Sequence, residues 1–166
     1  MSDYGVPGDL AGALPWTWAQ QRLIANRNYW VITASAAARP HAMPVWGVWL
    51  PEAEGDGDRF WFSCSPNARK ARNLAENPQC TVTVQDTVEC VSVEGTARPV
   101  GPTVAASGVD AMVYTYLAKY WPDPAVHAEM EAFLRSHAMF IVTPQRAFGI
   151  IEREEEFSTS ATRWRW

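Results

Sequence analysis

The stretch "NARKARNL" sets two cations side by side, Arg69 and Lys70, at what reads as the first turn of a short helix. The helix dipole is positive at that end and favours acidic side chains, so adjacent cations there are unfavourable unless an anion lies between them. A phosphate would satisfy both side chains and the free N–H groups of the turn together. The alternative is a solvated basic face formed by Arg69, Lys70 and Arg72. A second stretch, "HAMPVWGVW", carries Pro44 inside a strand pattern. Proline donates nothing to a ladder and belongs at an edge or bulge, where neighbouring peptide groups can face a ligand; an edge proline without function is the other reading. Gly47, flanked by Trp46 and Trp49, permits close approach by a backbone or a flat ring.

Other chemistries find little footing. His41 begins a strand pattern, while His127 and His137 have no partner at metal-ligand spacing, so no metal site is expected. No GxSxG elbow supports a serine nucleophile. Cys64, Cys80 and Cys90 are odd in number and lack CxxC spacing, which argues for reduced thiols in strands. Cys64 has no charged neighbour in its strand and is not expected to act as a nucleophile. Tyr114, Tyr116 and Tyr120 could line a pocket or donate a proton, with packing as the simpler role. No catalytic side chain is assigned, because a cofactor can carry the reactive atom.

The elements that must position these residues follow from periodicity. Residues 1–13, rich in Gly, Pro and Asp, predict a flexible arm, and residues 14–166 one domain, as the length of 166 residues allows. "PWTWAQQRLIAN" predicts a helix opened by Pro15, and "NYWVITAS" and "HAMPVWGVWL" an antiparallel hairpin. "RFWFSCS" is a third strand, followed by a helix from Ala68 to about Glu76 that Pro78 stops. "QCTVTVQ" and "ECVSVEGTARPV" alternate as strands, with a bulge expected at Gly95. Helices over 103–120 and 124–136 are split by "WPDP". "AMFIVTPQRAFGIIER" is a strand pair or one bent strand, and "TRWRW" a terminal strand with one face buried. Such a list predicts a mainly β fold, a small antiparallel barrel with peripheral helices.

Charge and hydropathy narrow the partners. A formal charge of −4 gives no long-range basic field, so no nucleic acid is expected. No segment approaches the roughly 20 apolar residues of a membrane span and the N-terminus lacks a signal pattern, so no membrane and a cytoplasmic location are expected. Nine tryptophans bury large areas or stack on flat ligands, and composition cannot say which. That much apolar aromatic surface also exceeds what one small core readily hides, which predicts a homodimer.

Taken together, "YWVITASAAARPHAMPVWGVW" and "FWFSCSPNARKARNLAENPQCTVTV" resemble the flavin and deazaflavin branch of the pyridoxamine 5′-phosphate oxidase-like split β-barrel family. Within it the chain is most similar to actinobacterial reductases that use coenzyme F420, which often carry an "LPW" helix and a tail like "TRWRW". The resemblance implies an FMN-binding split barrel, a six-stranded antiparallel Greek-key barrel, assembled as a homodimer with cofactor sites at its interface. It implies that Ala42, Met43, Pro44, Val45 and Trp46 lie along the cofactor ring and that Ser63 and Cys64 contact the ring or its side chain. It further implies that Arg69 and Lys70 bind the cofactor phosphate with Asn73 as a helper. A partner chain would contribute from Glu89 to Val91 and from the tail.

The implied function is an F420-dependent reductase passing a hydride to a small unsaturated or quinone-like acceptor. An FMN-dependent oxidoreductase, or a flavin or haem carrier without turnover, are the alternatives. A basic groove for the oligoglutamate tail of F420 would favour the first, with Arg22, Arg27, Arg72 and Lys119 as candidates. Oxidases of pyridoxamine phosphate carry an Arg and a Lys where this chain has Met43 and Val48, and an Arg-x-His segment absent here, which argues against that substrate.

Overall fold

The computed structural model describes residues 12–51, 57–101 and 106–166. Helix α1 (Trp16–Ala25) leads into strands β1 (Asn28–Ala34), β2 (Pro40–Leu50) and β3 (Arg59–Cys64). Helix α2 (Arg69–Glu76) precedes β4 (Gln79–Val84) and β5 (Glu89–Pro99). Helices α3 (Ala106–Tyr120) and α4 (His127–Arg135) then lead to β6 (Ala138–Ile151), helix α5 (Phe157–Ser160) and strand β7 (Thr162–Arg165). Most of the expected arm, residues 1–11, lies outside the described residues, as does the centre of the acidic turn at 52–56.

All pairings are antiparallel, in the order β3-β2-β1-β4-β5-β6, and a β3–β6 pairing closes six strands into a barrel with β7 added along β6. Strand β4 returns beside β1 rather than β3, the Greek-key connection. The last strand region is one continuous strand, because β6 serves β3 with its first half, β7 with its second and β5 throughout. The register shift at Glu94/Gly95 is the expected bulge: a Cβ on Gly95 would lie 2.2 Å from the Thr143 carbonyl oxygen.

The tryptophans divide by position. Trp49 faces the barrel interior with Tyr29, Phe60 and Phe62, while Trp16, Trp18 and Trp164 pack partly buried against that core. At this end Asp58, 4% exposed, accepts hydrogen bonds from the indole N–H groups of Trp16 (3.0 Å) and Trp49 (3.2 Å) and from Gln20 (3.1 Å). One carboxylate therefore ties α1, β2 and the segment entering β3 together. Trp61 and Trp121 belong to a second cluster, in which α3 and α4 cover Val48 and Ile141 on the outside of the barrel.

Helix α3 is fastened at its C-terminal end. The Tyr120 hydroxyl accepts from the Gly47 N–H (2.9 Å) and lies within donating distance of the Arg27 and Gly47 carbonyls (2.6 and 2.8 Å). Lys119 Nζ donates to the carbonyls of Ile24 and Gly47 and to the Tyr29 hydroxyl (2.8 Å). Burial, reinforced by Arg27, holds the Lys119 pKa down to about 8.

Asp58→Ala leaves two indole N–H groups and an amide without their acceptor, and is expected to cost about 3 kcal/mol in urea unfolding. The lowered Lys119 pKa means that between about pH 8 and the ordinary lysine range the unfolded chain binds a proton that the folded chain does not. Raising the pH through that window therefore increases the stability of wild type relative to Lys119→Met, read as diverging urea midpoints at about pH 7.5 and pH 9.5.

Candidate functional site

Strand β2 pairs with β3 over Gly47–Leu50, opposite Phe62–Arg59. From Pro40 to Trp46 it pairs with β1 alone, while β3 turns away to pair with the start of β6. A Cβ on Gly47 would lie 2.4 Å from the Phe60 ring and 2.6 Å from the Trp61 carbonyl oxygen, so this rung, where β2 passes from β1 to β3, requires glycine. Beyond it the barrel is split, and half the peptide groups of residues 40–46 face an edge without a strand. Pro44 stands on that one-sided stretch, where the missing N–H is tolerated.

Cross-strand partners share a face, which assigns the side chains of β2. Val45, opposite Tyr29, is buried in the interior. Met43 and His41, opposite Val31 and Thr33, lie on the same face, yet Met43 is 45% exposed because the split leaves the interior open there. Ala42, Pro44 and Trp46 face outward and are exposed beside Trp30. Trp46 stacks on Tyr120, with centroids 4.8 Å apart and planes within 7°.

Helix α2 begins where β2 and β3 diverge. Its cap position is Ala68, no side chain caps it and its first turn holds no acidic residue. Arg69 and Lys70 both act on His41 and, with burial, lower its pKa. Lys70 also acts on Cys64, so the end of β3 does have a charged neighbour, supplied by a different element. Arg69, Arg72 and Asn73 line a concavity of about 270 Å³ with Ser35, Ala37 and Arg39 from the β1–β2 turn. None of Arg39, Arg69, Lys70 and Arg72 forms an ion pair among the described residues, whereas Arg22, Arg135, Arg146 and Arg153 all do.

The expected residues thus gather at one place, with different side-chain roles. Asn73 is buried and its amide donates to the Thr33 hydroxyl (2.9 Å), bracing α2 against β1. Ser63 hydrogen-bonds the Tyr116 hydroxyl and joins β3 to α3. Of the groove candidates only Arg72 lines the concavity. Arg22 pairs with Glu89, Arg27 donates to the Lys119 carbonyl, and Lys119 is bound to internal acceptors. Val91 lies in the barrel core, Glu89 is held by Arg22 and Arg153, and the tail pairs with β6 of its own chain. Arg39, in the turn between β1 and β2, is a further cation of this concavity that the sequence motifs do not single out. Ala38 adopts φ 56° and its N–H bonds the Ser35 carbonyl (2.8 Å), so the tight turn brings Arg39 round to α2. An arginine immediately before the strand-opening Pro40 was the available signal.

A closed six-stranded antiparallel barrel with peripheral helices, split beside a cation-lined concavity, defines the class of split β-barrels. The family described as pyridoxamine 5′-phosphate oxidase matches residues 18–149, and the chain belongs to that family. Among solved structures, a conserved hypothetical protein from Mycobacterium tuberculosis is similar with a TM-score of 0.66 at 14% identity, over 96% of this chain and 89% of that one. An FAD-binding protein from Mesorhizobium loti gives 0.58 at 16%, over 81% and 90%. The haem storage protein HutZ from Vibrio cholerae gives 0.55 at 17%, over 78% and 87%. At these identities the likeness is one of fold. No curated protein sequence matches the chain. Among the described residues no helix is long and apolar enough to cross a membrane.

Burial raises the Cys64 thiol above its ordinary pKa despite the opposing pull of Lys70, and burial raises Cys80 to about 12. Both are expected to stay protonated and to react slowly with iodoacetamide at neutral pH, as peptide mass spectrometry would record. Rapid alkylation of Cys64 near pH 7 would point instead to a thiolate chemistry.

Proposed function

We propose that the chain is an F420-dependent oxidoreductase that holds the cofactor phosphate between Arg69 and Lys70 and passes a hydride to a small unsaturated or quinone-like acceptor. The observation that carries this reading is the set of four cations at the split, Arg39, Arg69, Lys70 and Arg72, without carboxylate partners among the described residues, next to a strand with a free peptide edge. Unpaired cations at an uncapped helix start are stabilised by a multivalent anion. The free edge of Ala42–Trp46 offers donors and acceptors to a flat heterocycle, and exposed Met43 and Pro44 offer it an apolar bed. Cys64, half-buried at the end of β3, would border the same ligand.

One phosphate needs only two of the four cations. Arg39 and Arg72 remain for further anionic groups, which favours the oligoglutamate-bearing F420 over FMN. The deazaflavin, when bound, supplies the hydride; the chain's part is to fix the ring and to exclude water. Tyr116 and Tyr120 stay protonated, the latter held up to about 12 by burial, so neither supplies a base at neutral pH. Met43 and Val48 stand where a substrate phosphate would need cations, so pyridoxamine phosphate is not the substrate favoured here.

A homodimer belongs to the same proposal. Trp30 and Trp46 are 43% and 41% exposed on the outer face of β1 and β2, beside Pro44. Light scattering at micromolar concentration is expected to return a dimer, and a Trp30→Glu variant a monomer.

Each of Arg69→Ala and Lys70→Ala is expected to weaken F420 binding by roughly 1.5 to 3 kcal/mol, one to two decades, with the double variant losing it at working concentrations. Melting temperature without cofactor should hold or rise, because two like charges leave a positive helix end. Fluorescence titration with F420 and FMN side by side checks both points. Unchanged affinity in the double variant removes the phosphate site, and cofactor binding without steady-state turnover assigns the chain to the carriers.

A further inference from the structure

His41 is the histidine of β2, and its register partner is Thr33, whose hydroxyl is already bound by Asn73. Its Nδ1 is buried and meets no hydrogen-bond partner. A buried polar atom left without a partner costs free energy, and in native chains such atoms tend to mark a site for an absent ion, water or ligand. The charged groups acting on this ring are Arg69 and Lys70 of α2, both cationic and neither ion-paired among the described residues. Burial first, and then the charges of Arg69 and Lys70, lower the His41 pKa and disfavour the imidazolium. An anion that neutralises Arg69 and Lys70 reverses that field and makes imidazolium favourable.

We propose that His41 is a third ligand-binding group of this site, donating a hydrogen bond to the phosphate-bearing ligand that Arg69 and Lys70 attract and taking up a proton as it binds. The inference rests on the phosphate site proposed above. The ring is only partly buried, and rotation about its last side-chain torsion, which is broad and roughly two-fold, exchanges Nδ1 with the exposed edge at little cost. In the free chain His41 is neutral at neutral pH and adds nothing to the repulsion at the helix start. In the complex it contributes both a donor and a charge.

Linkage fixes the direction of the pH effect. A group whose pKa rises on binding adds affinity below its bound-state pKa and loses that contribution as pH rises through it. The phosphate monoester of FMN itself titrates near pH 6, whereas the phosphodiester of F420 does not, so the informative quantity is the affinity of wild type divided by that of His41→Gln at each pH, from which any titration of the ligand cancels.

The test is a titration with FMN and with F420 of wild type, His41→Gln and Arg69→Ala at about pH 6 and pH 8. The expected result is an affinity ratio of about ten at the lower pH, falling toward one at the higher, with the melting temperature of ligand-free His41→Gln unchanged or raised. Ligand binding that depends on Arg69 but shows the same affinity in His41→Gln at both pH values overturns the role of His41 and leaves the phosphate site standing. A fall in the ligand-free melting temperature with a ratio independent of pH assigns His41 to packing and likewise overturns it. Failure of wild type to bind either ligand overturns the phosphate site and this inference together.

Discussion

The rung between Gly47 and Phe62 is where β2 passes from pairing with β1 to pairing with β3, and the organisation of the site depends on it. On one side of it Val48 and Trp49 pair with β3 and belong to the packed core; on the other Pro40–Trp46 pair with β1 alone, while β3 continues along β6. The departure needs a residue without a Cβ, because the Phe60 ring and the Trp61 carbonyl occupy that space. It also needs the β1–β2 ladder to end cleanly, and the Tyr120 hydroxyl and Lys119 ammonium bind the Gly47 peptide groups in place of another rung. Helix α3 is therefore part of the frame, fixed by these bonds and by the cluster around Trp61 and Ile141.

The charges follow an economy of their own. Arg22 and Arg153 share Glu89, and Arg135 joins Asp110 and Glu131. Around the split this pattern stops: Arg39, Arg69 and Arg72 line one concavity, with Lys70 beside Arg69 on the same uncapped helix end, and none of them forms an ion pair among the described residues. Local stability would be served by an acidic residue or a Ser or Asp cap there, so the arrangement runs against propensity. Departures of this kind concentrate where a chain is shaped for a ligand rather than for its own folding.

The aromatic side chains show the same division between frame and surface. Tyr29, Trp49, Phe60 and Phe62 fill the barrel, and Trp16, tied by Asp58, closes one end against Trp164. Trp30 and Trp46 remain partly exposed on the outer face of the β1–β2 hairpin, where the end of α3 covers one side of Trp46 through Tyr120.

Strand alternation, the Gly95 bulge, the proline break before α4 and the strand character of the tail were legible in the sequence because each is set by local backbone and side-chain preference. The pair Arg69–Lys70 was legible for the same reason, as a local conflict with the helix dipole. What the sequence left open were relations between distant segments. Cross-strand register, which depends on how two strands meet, turned Val45 inward and Pro44 outward. The fold spent Arg22, Arg27 and Lys119 on internal partners, which no spacing along the chain reveals. It also carried Arg39 from an unremarkable turn to the start of α2 and set Lys70 beside Cys64 and His41, because closure of the barrel brings the ends of β2 and β3 to one helix N-terminus. Periodicity determined the elements and the suspicious charges; only closure of the barrel decided which of those charges share a site.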